Sequence, residues 1–176
     1  MPRNLEVKAE VLSFGPVRAT AVLIGARYAG TLKQVDSYFR VKQGRLKLRE
    51  LNTKEAELVY YRRPNRLGTR LSMYIILPVT RIAPTKTILH RLFPQIVVVK
   101  KVRKLFLYKN ARIHLDSVRG LGRFIEFEVV LKHGMSQANS LMRFLRMAFG
   151  IRKRDTISSS YSDLLLRKLR ARRRHA

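Results

Sequence analysis

Alternating polar and apolar positions dominate the first two thirds of the chain and predict a series of β-strands. The alternation is clearest over residues 4–9, 45–49, 112–116 and 125–129, where polar and apolar side chains fall on opposite faces. The same pattern predicts strands over Leu58–Arg62, Arg70–Leu77, Ile96–Val102 and Lys104–Leu107. Turn residues such as Gln43-Gly44, Pro64-Asn65 and Gly120-Leu121-Gly122 separate these segments.

Helical spacing is confined to four shorter segments. It predicts helices over Pro16–Ile24, Thr85–Phe93, Ser136–Phe149 and Ser160–Leu169, with Ser136 as an N-cap and Gly150 as a stop. The predicted fold class is therefore α+β, with about eight antiparallel strands and flanking helices.

The amino-acid composition then limits the classes of function that the protein can have. Lys and Arg number 38 against 11 acids, for a net charge of +27, which indicates polyanionic partners. The absence of Cys excludes disulfides, a thiolate nucleophile and Cys-ligated metals. The longest apolar runs are far shorter than the ~20 residues of a transmembrane helix, so we expect an intracellular protein without a membrane span, cytoplasmic or mitochondrial.

The few acidic residues occupy particular strands. No acid occurs between Leu58 and Leu115, where there are thirteen Lys or Arg, whereas Glu126 and Glu128 stand two positions apart on one strand face. If the sheet closes into a barrel with its charged faces inward, these rows line a polar tunnel. Cations neutralise phosphate oxygens and carboxylates hold an octahedral metal, so such a tunnel suits a polyphosphate with its Mg²⁺.

At this point the sequence resembles the CYTH family of triphosphate tunnel metalloenzymes, which includes class IV adenylate cyclases, thiamine triphosphatases and inorganic tripolyphosphatases. The resemblance covers about residues 4–166. Its opening Glu-x-Glu-x-Lys signature is matched by Asn4-Leu5-Glu6-Val7-Lys8. Further motifs are matched, in order, by residues 34–39 and 44–50, Tyr60-Tyr61-Arg62, residues 100–103 and 112–116, residues 120–128, and Ser160-Tyr161-Ser162-Asp163-Leu164.

The resemblance implies an eight-stranded tunnel and a set of site residues. The triphosphate would be bound by Lys8, Lys47, Arg49, Arg62, Lys101 (favoured over Lys100), Arg103 and Arg112, the first four of them catalytic. One or two Mg²⁺ or Mn²⁺ ions would be held by Glu6, Glu126 and Glu128, with Asp116 as a further polar or metal-associated group. His114 is expected in the tunnel wall rather than as a ligand, and Glu50 is expected to point away from the tunnel.

One residue departs from the family signature. Asn4 stands where the signature has its first Glu. An amide oxygen can bind Mg²⁺ but brings no charge, so the departure bears on metal affinity and on a second metal.

Two function classes follow from the resemblance and from the charge. In the first, the protein is a metal-dependent enzyme that hydrolyses or cyclises a triphosphate, with ATP, thiamine triphosphate or tripolyphosphate as candidate substrates. In the second, the tunnel is catalytically weak or silent and the protein is an RNA-binding subunit of a ribosome or another ribonucleoprotein.

The second class rests on positive charge that lies outside the tunnel motifs. We expect a tunnel domain over residues 1–166 and a basic tail over 167–176. Nucleic acid would be bound by Arg167, Lys168, Arg170, Arg172, Arg173 and Arg174.

Overall fold

A closed barrel of eight antiparallel strands forms the centre of the computed structural model, which describes residues 1–132 and 134–174. The strands are β1 (Arg3–Glu10), β2 (Arg27–Phe39), β3 (Arg45–Leu51), β4 (Glu55–Arg62), β5 (Arg70–Val79), β6 (Gln95–Tyr108), β7 (Ala111–Val118) and β8 (Gly122–Val130). Their order around the barrel is β1-β5-β4-β3-β2-β6-β7-β8. The predicted α+β class and antiparallel tunnel are confirmed.

Four α-helices lie outside the barrel: α1 (Gly15–Leu23), α2 (Ile82–Leu92), α3 (Met135–Ala148) and α4 (Tyr161–Arg173). Each predicted helix is present, with shifted ends. Gly134 rather than Ser136 is the N-cap of α3, because the chain reaches the helix through a positive φ of 89° that glycine tolerates. No described helix is long and apolar enough to cross a membrane.

The hydrophobic core lies between the outer barrel face and the helices. Leu5 and Val7 on β1 and Phe127 on β8 pack with Met142 and Leu145 of α3. A second cluster joins the outward residues of β2 to β4 to Leu89 of α2. Because the apolar residues of each strand are used on this outer face, strict alternation leaves the polar residues facing the barrel interior.

One sequence prediction needs correction here. The two strands predicted at 96–102 and 104–107 are one strand, β6, which pairs with β2 along nearly its whole length. Helix α4 also runs uninterrupted across the predicted boundary between residues 166 and 167, so the described part of the basic tail is helical through Arg173. Residues 175 and 176 lie outside the described residues.

Candidate functional site: the interior of the barrel

The barrel interior holds a cavity of about 290 Å³. One end is closed, because the segment before α4 crosses it: Thr156 bridges Ala9, and Ile157 N donates to Lys8 O at 2.8 Å. Ser160 and Tyr161 form the floor at this closed end. Leu32, Leu51, Tyr74, Ile76 and Leu105 line the opposite end, which is the open mouth.

Cationic side chains from four strands and the end of a fifth converge on this cavity. They are Lys8 (β1), Lys47 and Arg49 (β3), Lys101 and Arg103 (β6), Arg112 (β7) and Arg63, which directly follows β4. The structure therefore brings together six of the seven cations predicted for triphosphate binding. Lys101 is buried in the interior, whereas Lys100 is exposed outside, in agreement with the preference for Lys101.

Arg62 is the predicted site residue that does not reach the cavity. Its side chain is exposed, and the neighbouring Arg63 faces inward instead, with Nη1 donating to Glu6 Oε2 at 2.8 Å. The physical reason is strand alternation, because Glu57, Val59 and Tyr61 face inward on β4 and Arg63 continues that row. The Tyr-x-Arg motif is accordingly carried by Tyr61 and Arg63.

Arg63 is also the cation with spare hydrogen-bonding capacity. Its Nε and Nη2 are buried and have no hydrogen-bond partner within residues 1–132 and 134–174. Buried donors are normally paired. A guanidinium that presents two unpaired N–H groups at a cavity wall is suited to a phosphate oxygen.

A buried carboxylate that sequence analysis missed, Asp36 on β2, organises one wall. It accepts from Lys47 at 3.1 Å and from Arg49 at 3.4 Å, and Lys101 lies 3.9 Å away. Burial alone would raise the pKa of Asp36, but these three cations hold it well below its usual range. Asp36 is therefore an anion that positions three cavity cations.

Burial shifts the pKa of the cavity lysines downward, because it disfavours their charged form. It lowers the pKa of Lys47 to about 7 and that of Lys8 to about 8, although Asp36 and Glu126 respectively oppose the shift. A group with a pKa near neutrality can both neutralise a phosphate and release a proton.

Asp116 does not lie in the acidic group where metal association was expected. It is fully buried behind the cavity wall and accepts two hydrogen bonds of 2.7 Å from Arg103. It also accepts from the Tyr161 hydroxyl at 2.9 Å, and Lys101 lies 3.6 Å away. With its oxygens taken by these partners, Asp116 fixes Arg103 and the floor residue Tyr161.

The candidate metal centre lies on the wall formed by β7 and β8, across the barrel from β3 and β4. His114 of β7 and Glu126 and Glu128 of β8 offer ligand atoms that all lie within 4.8 Å of one another. Glu6 of β1 is the register partner of Glu128, so Glu6, Glu126 and Glu128 share one wall. Burial raises the pKa of Glu6, with Arg63 opposing the shift.

His114, which sequence analysis placed only in the wall, fits a metal on two counts. Its buried Nδ1 has no hydrogen-bond partner in the described chain, and lies 3.7 Å from both Glu126 and Glu128. Burial lowers the pKa of His114, which favours the neutral imidazole that ligates metals. The two carboxylates suit Mn²⁺ or Mg²⁺, and the imidazole favours a transition ion such as Mn²⁺ over Mg²⁺.

Asn4 stands closer to the mouth. With its amide oriented to satisfy both ends, its nitrogen donates to Arg3 O at 3.1 Å and its oxygen accepts from Arg112 Nη2 at 3.0 Å. Arg112 also donates to Glu128 at 3.0 Å. Asn4 therefore supports the arginine that pairs with a candidate ligand.

Tyr161 is the third residue that sequence analysis missed at the site, after Arg63 and Asp36. The capping box of α4 fixes its position, since Ser160 Oγ accepts from Asp163 N at 3.1 Å and Asp163 accepts from Ser160 N at 3.0 Å. The Tyr161 ring then lies 3.5 Å beneath Lys8 Nζ and packs against Phe124. The motif 160–164 was recognised, but no local pattern shows that its tyrosine closes a barrel.

Eight antiparallel strands closed around an interior lined with cations and a small ligand cluster define a triphosphate-tunnel fold. The CYTH domain model matches residues 3–148 of the chain. The protein therefore belongs to the CYTH family. Comparison with curated protein sequences gives no significant match.

Solved structures agree with this fold at low sequence identity. The protein PH1012 of Pyrococcus horikoshii superposes with a TM-score of 0.81 at 22% identity, covering 92% of this chain and 98% of that one. A candidate adenylate cyclase of Vibrio parahaemolyticus gives 0.74 at 18%, covering 92% and 97%. HpAC1 of Hippeastrum, described as having a dominant triphosphatase activity, gives 0.63 at 12%, covering 94% and 95%.

Proposed function

We infer that the protein is a metal-dependent phosphohydrolase that binds a triphosphate inside the barrel and releases phosphate from it. The observation that carries this proposal is a single closed-ended cavity in which seven cations and the cluster of His114, Glu126 and Glu128 face one another. The family membership and the triphosphatase description of the Hippeastrum neighbour support the same reaction class.

The phosphate chain would bind to five cations, which we term the cation wall: Lys8, Lys47, Arg49, Arg63 and Lys101. Arg63 offers two unpaired N–H groups, and Lys47 and Arg49 stand on the neighbouring strand. Lys8 and Lys101 extend the charge to the floor. Phosphoryl transfer needs positioning and neutralisation of charge more than a covalent nucleophile, and this wall supplies both.

His114, Glu126 and Glu128 would hold the divalent metal, with Glu6 close by. A bound metal would polarise phosphate oxygens and neutralise their developing charge. The chain's own groups do the remaining work. Arg63 and Lys47 orient the phosphate chain for attack of water on the terminal phosphorus. Lys47, which the bound polyphosphate would keep protonated, can then supply a proton to the departing phosphate oxygen.

Cyclisation of a nucleoside triphosphate would use the same walls, and no observation in the structure favours it over hydrolysis. The alternative from the sequence is an RNA-binding subunit whose tunnel is catalytically silent. This alternative explains the interior of the tunnel less well. The cation wall and ligand cluster are built from six of the eight strands, whereas the charge that motivated this alternative lies outside them.

A substrate panel tests the proposal. Phosphate, pyrophosphate and cyclic nucleotide release are measured from tripolyphosphate, thiamine triphosphate and ATP, with Mg²⁺, Mn²⁺ or EDTA. We expect metal-dependent phosphate release that falls at least 100-fold in Glu126→Gln. The matched control is Glu50→Gln, because Glu50 pairs with Lys86 on the outside of the barrel. Turnover that is equal in both variants, or that survives EDTA, would contradict the proposal.

A further inference from the structure

The closed end of the barrel carries a large part of the charge that the tunnel does not use. The topology places four groups of residues there: the turns 40–44, 62–69 and 119–123, and the segment 150–174 that contains α4. Because strands alternate in direction, every one of these connections lies opposite the mouth lined by Leu32 and Leu105. A ligand at this end would not enter the tunnel.

Exposed cations dominate this end, taking the described residues alone. Six lie on residues 40–42, 62–66 and 119–123, three on 152–154, four on α4, and one, Arg174, at the C-cap of α4. Against these fourteen cations stand three acids. Asp155 pairs with Arg152 at 3.0 Å and Asp163 with Arg45 at 3.0 Å, which leaves Glu10 as the third. The excess is large enough to define a surface, which we term the basic end.

Arginine prevails on the basic end. Eleven of its fourteen exposed cations are Arg and three are Lys. The planar guanidinium binds phosphate through two parallel hydrogen bonds, and it also stacks on flat rings, which the lysine ammonium does not. This composition favours a nucleic acid over a simple charged surface such as a lipid bilayer.

The helix α4 presents its cations from a fixed scaffold. Its first turn is anchored in the barrel floor by Tyr161, and Lys168 Nζ donates to Gly120 O at 2.7 Å. Arg167, Arg170 and Arg174 follow at spacings of three and four, so they share one exposed face about 10 Å long. A preorganised row of this kind loses little conformational entropy on binding.

A groove beside this row would admit an unpaired base. It has a volume of about 420 Å³ and lies between α4, the β2–β3 turn and the start of β6. Arg40, Arg45 and Arg170 lie along it with the polar groups of Gln95, Ser162 and Asp163. Single-stranded RNA exposes its bases and offers a 2′-hydroxyl to such polar groups, whereas a duplex keeps its bases paired and DNA lacks the 2′-hydroxyl.

We propose that the basic end binds single-stranded RNA, with Arg167, Arg170 and Arg174 on backbone phosphates and an unpaired base in the groove at Arg40 and Arg170. The tunnel mouth faces away from this surface, so RNA and a triphosphate bind at the same time. This inference stands independently of catalysis in the tunnel.

Fluorescence anisotropy with a labelled 20-nucleotide single-stranded RNA at 0.15 M salt tests the proposal. The variant Arg167→Glu/Arg170→Glu/Arg174→Glu should bind at least 30-fold more weakly. The slope of log affinity against log salt should fall by about 2, since three phosphate contacts at about 0.7 each are lost. The control Lys33→Glu/Lys54→Glu/Lys109→Glu makes the same charge change on exposed residues at the mouth end and should change affinity less than threefold.

Equal losses in the two triple variants would show a response to net charge alone and overturn the proposal, as would undiminished binding in the α4 variant. Tighter binding to DNA of the same sequence, or to phosphatidylserine vesicles, would overturn the assignment to RNA. Saturating tripolyphosphate with Mn²⁺ should leave RNA affinity unchanged, and competition between them would contradict separate sites. The α4 variant should still bind tripolyphosphate. That result would show that the variant is folded and that its tunnel is intact, independently of its RNA binding.

Discussion

Arg63 is the cavity residue whose bonding is least complete. Of its guanidinium donors, Nη1 bonds Glu6, while Nε and Nη2 have no partner in the described structure. A charge-assisted hydrogen bond contributes about 1.5–3 kcal/mol. We therefore expect Arg63→Met to weaken tripolyphosphate binding 10- to 100-fold, measured by isothermal titration calorimetry.

The adjacent residue provides the control for that experiment. Arg62 has the same chemistry but is exposed outside the barrel, so Arg62→Met should bind tripolyphosphate like the unmodified protein. A larger loss in Arg62→Met than in Arg63→Met would show that the inward row on β4 is assigned incorrectly.

Lys47 makes triphosphate affinity depend on pH. Burial lowers its pKa to about 7 in the free protein, and a bound polyphosphate anion would raise that pKa again. Affinity should therefore be highest below pH 7 and decline, by at most tenfold per unit, as pH rises above 7. Binding near pH 8 should take up a proton, measured calorimetrically in buffers of different ionisation enthalpy. Lys47→Met should reduce this uptake to the part that Lys8, with its pKa of about 8, contributes, and undiminished uptake would assign the proton to another group.

Asp36 contributes to stability through the cations that it positions. Asp36→Asn keeps the shape but leaves Lys47, Lys101 and Arg49 without their shared counter-charge. Removing one partner of a buried ion pair costs about 3–5 kcal/mol, and deprotonation of Lys47 would moderate that cost. We expect the free energy of unfolding in urea to fall by about 3 kcal/mol. Glu50→Gln, which breaks the exposed pair with Lys86, should cost less than about 1 kcal/mol.

At the scale of elements, alternation predicted the inward faces of β1, β3, β7 and β8, but it fails where the sequence repeats a residue. Lys8 and Glu126 follow from alternation, because their neighbours are apolar. Tyr60-Tyr61 and Arg62-Arg63 place the same side chain on both faces, so the pattern near residue 62 permits either register. The structure selects Arg63 because pairing of β4 with both β3 and β5 turns Glu57, Val59 and Tyr61 inward, and Arg63 continues that row.

Two residues were missed for a related reason. Asp36 lies on a strand whose other inward residues are Leu32, Gln34 and Tyr38, so no charged alternation marks it. Tyr161 enters the barrel end-on from a helix, and its partners Lys8 and Asp116 lie far away in sequence. Contacts of this kind depend on tertiary packing, which the periodicity of the sequence does not predict.

Helix α4 closes the floor through Tyr161, and this element should tolerate loss of the hydroxyl better than loss of the ring. Tyr161→Phe removes the 2.9 Å hydrogen bond to Asp116 and should cost about 1–3 kcal/mol. Tyr161→Ala also removes the packing against Phe124 and Lys8, at about 3–5 kcal/mol, and opens the floor to water. Urea unfolding measures the loss of stability in each variant, and the KM for tripolyphosphate measures the effect on the cavity. Equal effects of the two variants would contradict a structural role for the ring.

At the scale of the whole molecule, the positive charge is divided between two environments. Inside the barrel, cations are paired with carboxylates and shielded from solvent, whereas the basic end is exposed. A net charge of +27 makes the folded state repel itself at low ionic strength. We expect Tm to rise by several degrees between 0.02 and 0.3 M NaCl, measured by scanning calorimetry. A fall in Tm would instead indicate that exposed ion pairs dominate stability.

The central claim is that a metal and a triphosphate share the cavity between the two walls. The most direct measurement is a crystal structure with Mn²⁺ and tripolyphosphate, in which anomalous scattering locates the metal. The account predicts a Mn²⁺ peak bounded by His114, Glu126 and Glu128, with phosphate oxygens on Arg63 and Lys47. A metal or a phosphate chain bound only outside the barrel would contradict it.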